Sequence, residues 1–268
     1  MQTIDLVKVE HSRKTGERCE YIEPNVTESC YLRDGDEIIG VYLEDASELF
    51  PRLANLMAIS NREFLSDNVP KSMLKRADVI QKKWAQGITH KQAMAIGTIQ
   101  YSAIIGSVPK RKLMRRDYHN RSSVHAVKSA QTFIKAMLLA SHEIDKAMES
   151  LLPVQHEAHK DAVSRVNDEW KFGNLFTSSI SNFNISAPFH RDQANIKQTL
   201  NAIYTHRHNS EGGCLYVPDY DACFKMPSGS LLFYPAWRNV HAVTPIKPTH
   251  KGGYRNSLVF YAVGGFLS

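Results

Sequence analysis

Short apolar segments separated by turn residues run from about residue 175 to the end of the chain, and they limit the possible folds more than any other feature. The segments predicted as strands are 175–185, 198–204, 212–217, 229–234 and 257–263. Regularly spaced short strands are typical of an antiparallel barrel or sandwich. Segments 124–151 and 157–166 are predicted helices and come before these strands. We therefore predict an α+β fold in which helices precede an antiparallel β core.

The N-terminal part of the chain combines strand and helix patterns. Alternating apolar and polar residues from 20 to 44 predict a hairpin, and the Asp-Gly pair within 33–36 marks its turn. A helix is predicted from about Glu48 to Met57. Pro51 must lie in the first turn of this helix, since proline is tolerated only there.

The chain length allows one large domain or a domain with a closely packed extension. Residues 61–97 are polar and irregular, whereas residues 98–105 again predict a strand. We expect residues 1–97 to form a strand and helix extension packed on a core of residues 98–268. The two parts together should make one compact unit.

Three side chains in the strand-rich part form a candidate metal-binding set. His190 and Asp192 are two residues apart on a predicted strand, so their side chains leave the same face. His241 follows a second apolar strand. Two imidazoles and one carboxylate make the facial triad that holds non-haem Fe(II) and leaves positions open for further ligands. These residues therefore predict a catalytic iron site.

Arg255 and Ser257 predict a binding site for an organic anion. Arg255 begins the last predicted strand, 14 residues after His241, and Ser257 lies on the same strand face. A guanidinium group stays charged and can bond both oxygens of a carboxylate. Beside an iron site, this pair predicts binding of the distal carboxylate of 2-oxoglutarate, which acts as a cosubstrate together with dioxygen.

This set of four points resembles the Fe(II)- and 2-oxoglutarate-dependent dioxygenases. Within that superfamily, similarity to the TET/JBP family, including its phage and bacterial members, lies in segments 178–184, 190–192 and 234–241. The resemblance implies a double-stranded β-helix (jelly-roll or cupin-like) core flanked by N-terminal helices. It also implies oxidation of the 5-methyl group of a pyrimidine in DNA.

The resemblance further implies residues that contact the substrate base. Asn195 occupies the position of a base-contacting asparagine in TET-like members, and Tyr261 occupies that of a stacking aromatic. From the residues alone, Asn195 could equally cap a turn and Tyr261 could pack in the core. Position 263 is valine, where the animal cytosine-oxidising members have a base-contacting histidine. Both 5-methylcytosine and thymine therefore stay open as substrates.

A cationic run predicts contacts with DNA phosphates. The net charge of +6 permits attraction to nucleic acid, and the target base must be flipped or supplied single-stranded to reach a recessed iron. The predicted phosphate contacts are Lys110, Arg111, Lys112, Arg115, Arg116, Arg121 and Arg207. An ordinary solvated loop is the alternative interpretation of the run.

Other constellations lack parts that their chemistry requires. His156 and His159 share one helix face but have no further ligand nearby, so we expect a solvated surface. His206 and His208 are predicted to lie in an exposed or substrate-contacting loop. Two alternatives stay open: the same chemistry on a free nucleotide, small metabolite or protein side chain, and a non-enzymatic, cupin-like metal-binding module.

Composition places the chain inside the cell. Its four cysteines lack a Cys-x-x-Cys spacing, and we expect reduced and mostly buried thiols. No apolar run is long enough to span a membrane, and the first residues form neither a signal peptide nor a transit peptide. We expect an intracellular protein, cytoplasmic or associated with nucleoid or nucleus, that needs no membrane and shows no obligate protein partner.

Overall fold

Two facing sheets form the core of the protein in a computed structural model, and ten strands form the larger sheet. The structure describes residues 1–73, 100–110 and 117–267. The strands of the larger sheet are β1 (Gln2–Asp5), β2 (Cys30–Asp34), β3 (Glu37–Leu43), β4 (Ser72–Met73), β5 (Tyr101–Val108), β6 (Asn120–Arg121), β7 (Ser178–Phe183), β9 (Asn201–His208), β13 (Leu231–Tyr234) and β16 (Tyr254–Tyr261). They follow the order β1-β2-β3-β13-β9-β16-β7-β5-β4, and β6 pairs with β5. All pairs are antiparallel except β1 with β2.

The smaller sheet closes the core from the other side. Its strands are β8 (Ala187–His190), β11 (Leu215–Val217), β12 (Ala222–Phe224) and β14 (His241–Val243), in the order β12-β11-β14-β8. A separate pair is formed by β10 (Ser210–Gly212) and β15 (Ile246–Pro248). Apolar side chains of the two sheets, including Leu215 and Phe224 from one and Ile203 and Leu232 from the other, meet in one buried cluster. The predicted α+β fold with a jelly-roll core is confirmed.

Helices cover the outer face of the larger sheet. They are α1 (Pro51–Leu65), α2 (Gln131–Leu151) and α3 (Pro153–Ser164). Phe64 of α1 stacks on Phe133 of α2, with ring centroids 6.1 Å apart. Both rings belong to a buried cluster that includes Phe233 and Phe260 of the sheet. Burial of this apolar surface is the main term that holds the helices on the sheet.

The N-terminal segment joins both sheets. Strand β3 pairs with β13, so the segment extends the larger sheet. Farther along, the backbone N–H of Gly16 donates to Phe189 O at 2.7 Å, and that of Phe189 donates to Glu17 O at 2.9 Å. Cys19 and its neighbours pack against Phe189 on the outer face of the smaller sheet. The segment therefore covers β8, the edge strand of that sheet.

Local predictions in this half of the chain hold well. The predicted hairpin is formed by β2 and β3, and Gly35 in its turn has a φ of +63°. Helix α1 begins with Pro51 in its first turn, as expected, and extends to Leu65.

All four cysteines are free and buried. In the described part of the chain, no helix combines the length and apolarity needed to cross a membrane.

Several element boundaries differ from prediction, and two of the differences change the structure around named residues. Helix α2 begins at Gln131 instead of residue 124, because Ser122 caps a short 3-10 turn, Ser123–Ala126, and Val127 then adopts an extended backbone. Strand β9 extends to His208, so the predicted loop containing His206 and His208 is wrong. Its pairing with β16 continues through these residues and keeps them in the sheet.

His156 and His159 are both buried, so the predicted solvated helix face is wrong. The ring of His156 bonds Asp145 Oδ1 through Nε2 at 2.7 Å. His159 bonds Leu175 O through Nε2 at 2.8 Å, and its Nδ1 accepts from the backbone N–H of Leu200 at 3.2 Å. Only the neutral ring with its proton on Nε2 makes both bonds. His159 therefore fixes the backbone just before β9.

Acid should destabilise the fold through His159. Burial lowers the pKa of His159 to about 4 from its ordinary value of 6.5. Because the unfolded chain takes up this proton first, the free energy of unfolding should fall as the pH drops through this window, by roughly 3 kcal/mol in total. Denaturant unfolding at about pH 7 and about pH 5 would measure the loss. The variant His159→Gln should lose less stability than the parent between these two conditions, and an equal loss would contradict the assignment.

Candidate active site

Two neighbouring strands of the smaller sheet bring the predicted metal ligands together. His190 at the end of β8 lies directly opposite His241 at the start of β14, and their ring centroids are 4.4 Å apart. Asp192 lies in the turn after β8, where its backbone N–H donates to Ala236 O at 3.0 Å. One ligand atom from each of the three side chains lies within 4.8 Å of the others. The three residues therefore form one compact donor set.

Backbone carbonyls orient both imidazoles. His190 Nδ1 lies 2.8 Å from Pro188 O, and His241 Nδ1 lies 3.1 Å from Asn239 O. Because a carbonyl oxygen only accepts, each Nδ1 carries the proton and each Nε2 keeps a free lone pair. Burial also lowers the pKa of His241 to about 4, so this ring is neutral at neutral pH. Both histidines are thus prepared to bind a metal through Nε2.

Asparagine side chains orient the carboxylate. Asn201 Nδ2 donates to Asp192 Oδ2 at 3.0 Å, and Asn195 Nδ2 donates to Asn201 Oδ1 at 2.8 Å. The other carboxylate oxygen, Oδ1, lies 3.5 Å from His190 Nε2. Two imidazole nitrogens and one carboxylate oxygen are a donor set that suits non-haem Fe(II).

Sequence reasoning missed Asn201. The only local sign was a polar residue at the head of the apolar run 200–204, a position that also suits an ordinary strand end.

A cavity of about 300 Å³ connects the donor set with Arg255. Its middle is largely apolar, with walls that include Ile180, Ile203 and Val259. The donor set lies at one part of this lining, and Arg255 and Ser257 belong to another. A ligand that fits must therefore carry a metal-binding group and a group that pairs with a cation.

Arg255 is a buried cation with no acidic partner. It is 2% exposed, its Nε has no hydrogen-bond partner, and within residues 1–73, 100–110 and 117–267 no carboxylate forms an ion pair with it. Burial, and then the charge of Arg207, lower the pKa of Arg255 to about 9, so the group is still cationic at neutral pH. Burying an unpaired charge is costly. This arrangement favours a bound anion.

Arg207 lies beside Arg255, not in an exposed loop as predicted. The two residues are directly paired between β9 and β16. Arg207 donates from Nη2 to Gly212 O, and its Nε has no partner. Arg207 is therefore half-buried beside Arg255, where its charge acts on the Arg255 guanidinium, and its predicted phosphate contact stays a prediction.

The predicted base-contacting positions lie near one another. A backbone bridge pairs Asn195 with Val263, and Tyr261 ends β16 two residues before Val263. Tyr261 is half-buried and continues the row of alternate β16 residues, Ser257 and Val259, that line the cavity. Asn195 is half-buried as well, and its side-chain amide is engaged with Asn201.

The flanks of the cationic run are attached next to these positions. Lys110 is exposed, and its backbone N–H donates to His119 Nδ1 at 3.1 Å. The ring of His119 packs against Trp170 and Phe266, with centroids 5.4 Å and 5.0 Å away. Phe266 follows Val263 in a short 3-10 turn, so Lys110 and His119, which flank the run, are attached near Val263. Arg111, Lys112, Arg115 and Arg116 lie outside the described residues.

Comparison with known proteins identifies the family and the fold. A model of the TET/JBP family, described as the oxygenase domain of the 2OGFeDO superfamily, matches residues 109–263. The solved structure of NgTET1 in complex with 5mC DNA is similar, with 14% identity and a TM-score of 0.58 over 95% of this chain and 85% of that chain. This likeness shows the double-stranded β-helix fold.

A second solved structure, an oxidoreductase of the 2OG-Fe(II) oxygenase family from Burkholderia pseudomallei, has 15% identity and a TM-score of 0.47, with 84% of each chain covered. No curated protein sequence matches the chain.

Replacing Asp192 should remove divalent metal binding. The variant Asp192→Ala loses the only anionic donor of the set, so the dissociation constant for Fe(II) or Co(II) should rise by at least about 100-fold. Anaerobic titration calorimetry would measure this change. Asp168→Ala, which alters an exposed carboxylate outside the cavity, is the matched control. Equal metal affinity in Asp192→Ala and the control would contradict the donor set.

Proposed function

The chain belongs to the TET/JBP family, the oxygenase domains of the 2OGFeDO superfamily, and we propose that this dioxygenase oxidises the 5-methyl group of a pyrimidine in DNA. One observation carries the proposal: a His-Asp-His donor set and an unpaired buried arginine line the same cavity of about 300 Å³. NgTET1, whose fold is similar, was solved in complex with 5mC DNA, and this supports DNA as the substrate class.

The donor set would hold iron, and the far part of the cavity would hold the cosubstrate. His190 and His241 offer neutral Nε2 atoms, and Asp192 offers one anionic oxygen. Iron with bound 2-oxoglutarate and dioxygen supplies the oxidation of an unactivated C–H bond. Arg255 would pair with the distal carboxylate of 2-oxoglutarate, and Ser257, on the same strand face, would donate a further hydrogen bond.

The remaining residues would position the substrate. Apolar walls at Ile180, Ile203 and Val259 exclude water from the space between the two polar parts of the cavity. The target base must leave the duplex to reach this depth, which costs a few kcal/mol of stacking and pairing. Tyr261 would stack on the flipped base, and Asn195 would contact its edge.

Phosphate contacts would offset part of the cost of base flipping. Lys110 is exposed at the start of the cationic run, and His119, which follows the run, packs on Phe266 near Val263. A cationic segment at this place meets the backbone of a DNA strand whose base enters the cavity. The choice between 5-methylcytosine and thymine depends on contacts near Val263, whose side chain offers no hydrogen bond to the base.

Mass spectrometry of nucleosides would test the reaction directly. Duplex and single-stranded DNA containing 5-methylcytosine would be incubated with the protein, Fe(II), ascorbate and 2-oxoglutarate, with a parallel reaction lacking 2-oxoglutarate. We expect a hydroxylated methyl group on either 5-methylcytosine or thymine in the complete reaction only. Succinate formation stimulated by free nucleotides, with no oxidised base in DNA, would instead support a small-molecule hydroxylase.

Arg255→Met should separate cosubstrate binding from metal binding. The variant keeps an unbranched apolar side chain in place of the aliphatic part of arginine but removes the charge-assisted bonds to the distal carboxylate. The KM for 2-oxoglutarate should therefore rise on the order of 100-fold, equivalent to about 3 kcal/mol. Metal affinity serves as the internal control and should stay within a few-fold of the parent. An unchanged KM would place the cosubstrate carboxylate elsewhere.

The cationic run should act on DNA binding alone. Changing Lys110, Arg111, Lys112, Arg115 and Arg116 to Gln should weaken binding to all DNA sequences. It should also flatten the slope of log affinity against log salt by up to roughly 0.9 per lost phosphate contact. Fluorescence anisotropy across a salt series would measure both effects. Decarboxylation of 2-oxoglutarate without DNA should persist, because these residues are not among the proposed ligands of iron or 2-oxoglutarate.

A matched variant distinguishes location from net charge. It changes five exposed cations in or next to the helices to Gln, namely Lys128, Lys135, Lys146, Lys160 and Arg165. This variant has the same net charge but should keep the salt slope of the parent. Equal slopes in the two variants would mean that the run is an ordinary solvated segment.

A further inference from the structure

The three metal-facing side chains are oriented in different ways. Backbone carbonyls hold both histidines, whereas a chain of two asparagine side chains holds the carboxylate. We propose that Asn195 and Asn201 form an amide relay that positions Asp192 for the metal. Both asparagines are therefore positioning residues, and this inference rests on the proposed iron site.

The direction of the relay is fixed by its charged end. The Asp192 carboxylate accepts only, so Asn201 must turn Nδ2 toward it and Oδ1 away from it. That Oδ1 in turn requires a donor, which is Nδ2 of Asn195. Turning either amide around would place two oxygens or two NH2 groups against each other. The observed orientation is thus the one in which every member of the relay is satisfied.

The middle of the relay has little freedom to move. Asn201 is 2% exposed and stands at the start of β9. The two residues before it are also held: the backbone N–H of Leu200 donates to His159 Nδ1, and Thr199 O accepts from Trp237 Nε1 at 2.9 Å. Asn201 therefore presents its amide to Asp192 from a fixed and buried backbone position.

The relay leaves one oxygen of Asp192 for the metal. Oδ2 is engaged by Asn201, whereas Oδ1 lies toward His190 Nε2. Loss of the amide would free the carboxylate to rotate, and each rotated state would present the donor set with a poorer geometry. At its other end the relay reaches Asn195, which is half-buried and next to Val263. A substitution of Asn195 should therefore lower the affinity of the donor set for metal.

This consequence separates the relay from a pure base contact. If Asn195 only touches the substrate base, Asn195→Ala changes the KM for DNA and leaves metal affinity as it was. If Asn195 also supports Asn201, the same variant weakens metal binding in the absence of DNA. The two roles predict different results in a measurement that contains no substrate.

The experiment measures Co(II) and anaerobic Fe(II) dissociation constants for the full chain without DNA. Asn201→Leu removes the donor to Asp192, and its metal affinity should fall by about 10- to 100-fold, the usual effect of losing a group that orients a ligand. Asn195→Ala should cause a smaller loss of roughly 3- to 10-fold. Because both act through one contact, the double variant should bind metal about as weakly as Asn201→Leu alone.

Asn256→Leu is the matched control. Asn256 is fully buried, and its Nδ2 donates to Asn61 Oδ1 at 2.6 Å, so it forms a similar amide pair away from the cavity lining. This variant should lower the free energy of unfolding but leave metal affinity unchanged. It shows whether loss of a buried amide pair weakens metal binding by destabilising the fold in general.

Three results would decide the matter. Parent-like metal affinity in Asn195→Ala overturns the relay, and so does additive loss in the double variant. If Asn201→Leu does not fold, Asn195→Ala carries the test alone, since its side chain is half-buried and its removal is tolerable. Retained metal binding in Asp192→Ala would overturn the iron site itself, so the two failures can be told apart.

Discussion

The antiparallel pairing of β8 with β14 is the interaction on which the rest of the site depends. It sets His190 opposite His241, and nearby main-chain carbonyls of Pro188 and Asn239 hold the two rings. A third main-chain bond, from Asp192 to Ala236, holds the turn that carries the carboxylate. Most of the donor geometry is therefore a property of the backbone. A shift of one residue in this pairing would turn the ligand side chains to the opposite face of the sheet.

The lining of the cavity combines a neutral histidine with a buried and unpaired cation. At the donor set, burial keeps His241 neutral, as a metal ligand requires. At the other end, Arg255 and Arg207 keep two cations side by side without an acidic partner among the described residues. An anionic ligand bound at Arg255 would relieve this repulsion. Such a ligand should then stabilise the folded state in proportion to its concentration above its dissociation constant.

Features with a short sequence range were predictable. The hairpin at Gly35, the helix start at Pro51 and the order of the four site residues each depend on local pattern or fixed spacing. The position of Asp192 was less predictable. Strand β8 ends at His190, and Asp192 reaches the site from a turn, not from the strand itself.

Features that depend on partners distant in sequence were not predictable. Whether Arg207 lies in a loop or a strand depends on its pairing with Arg255, and the burial of His159 depends on contacts with Leu175 and Leu200. The role of Asn201 is equally invisible locally, because its partner Asp192 lies in the turn after β8, outside any strand. Such long-range pairings depend on the packing of the whole folded chain, so local sequence patterns do not predict them.

The N-terminal segment gives the strand that carries His190 a protected edge. Strand β8 ends its sheet, and its outward N–H and C=O groups would otherwise be open to pairing with another chain. Gly16 and Glu17 bond the backbone of Phe189, and the guanidinium of Arg13 lies 5.3 Å from the centre of its ring. Similarly, β3 covers the side of β13. A fragment of residues 98–268 would therefore expose two unpaired strand edges, one of them at the metal site. We expect such a fragment to self-associate through these edges.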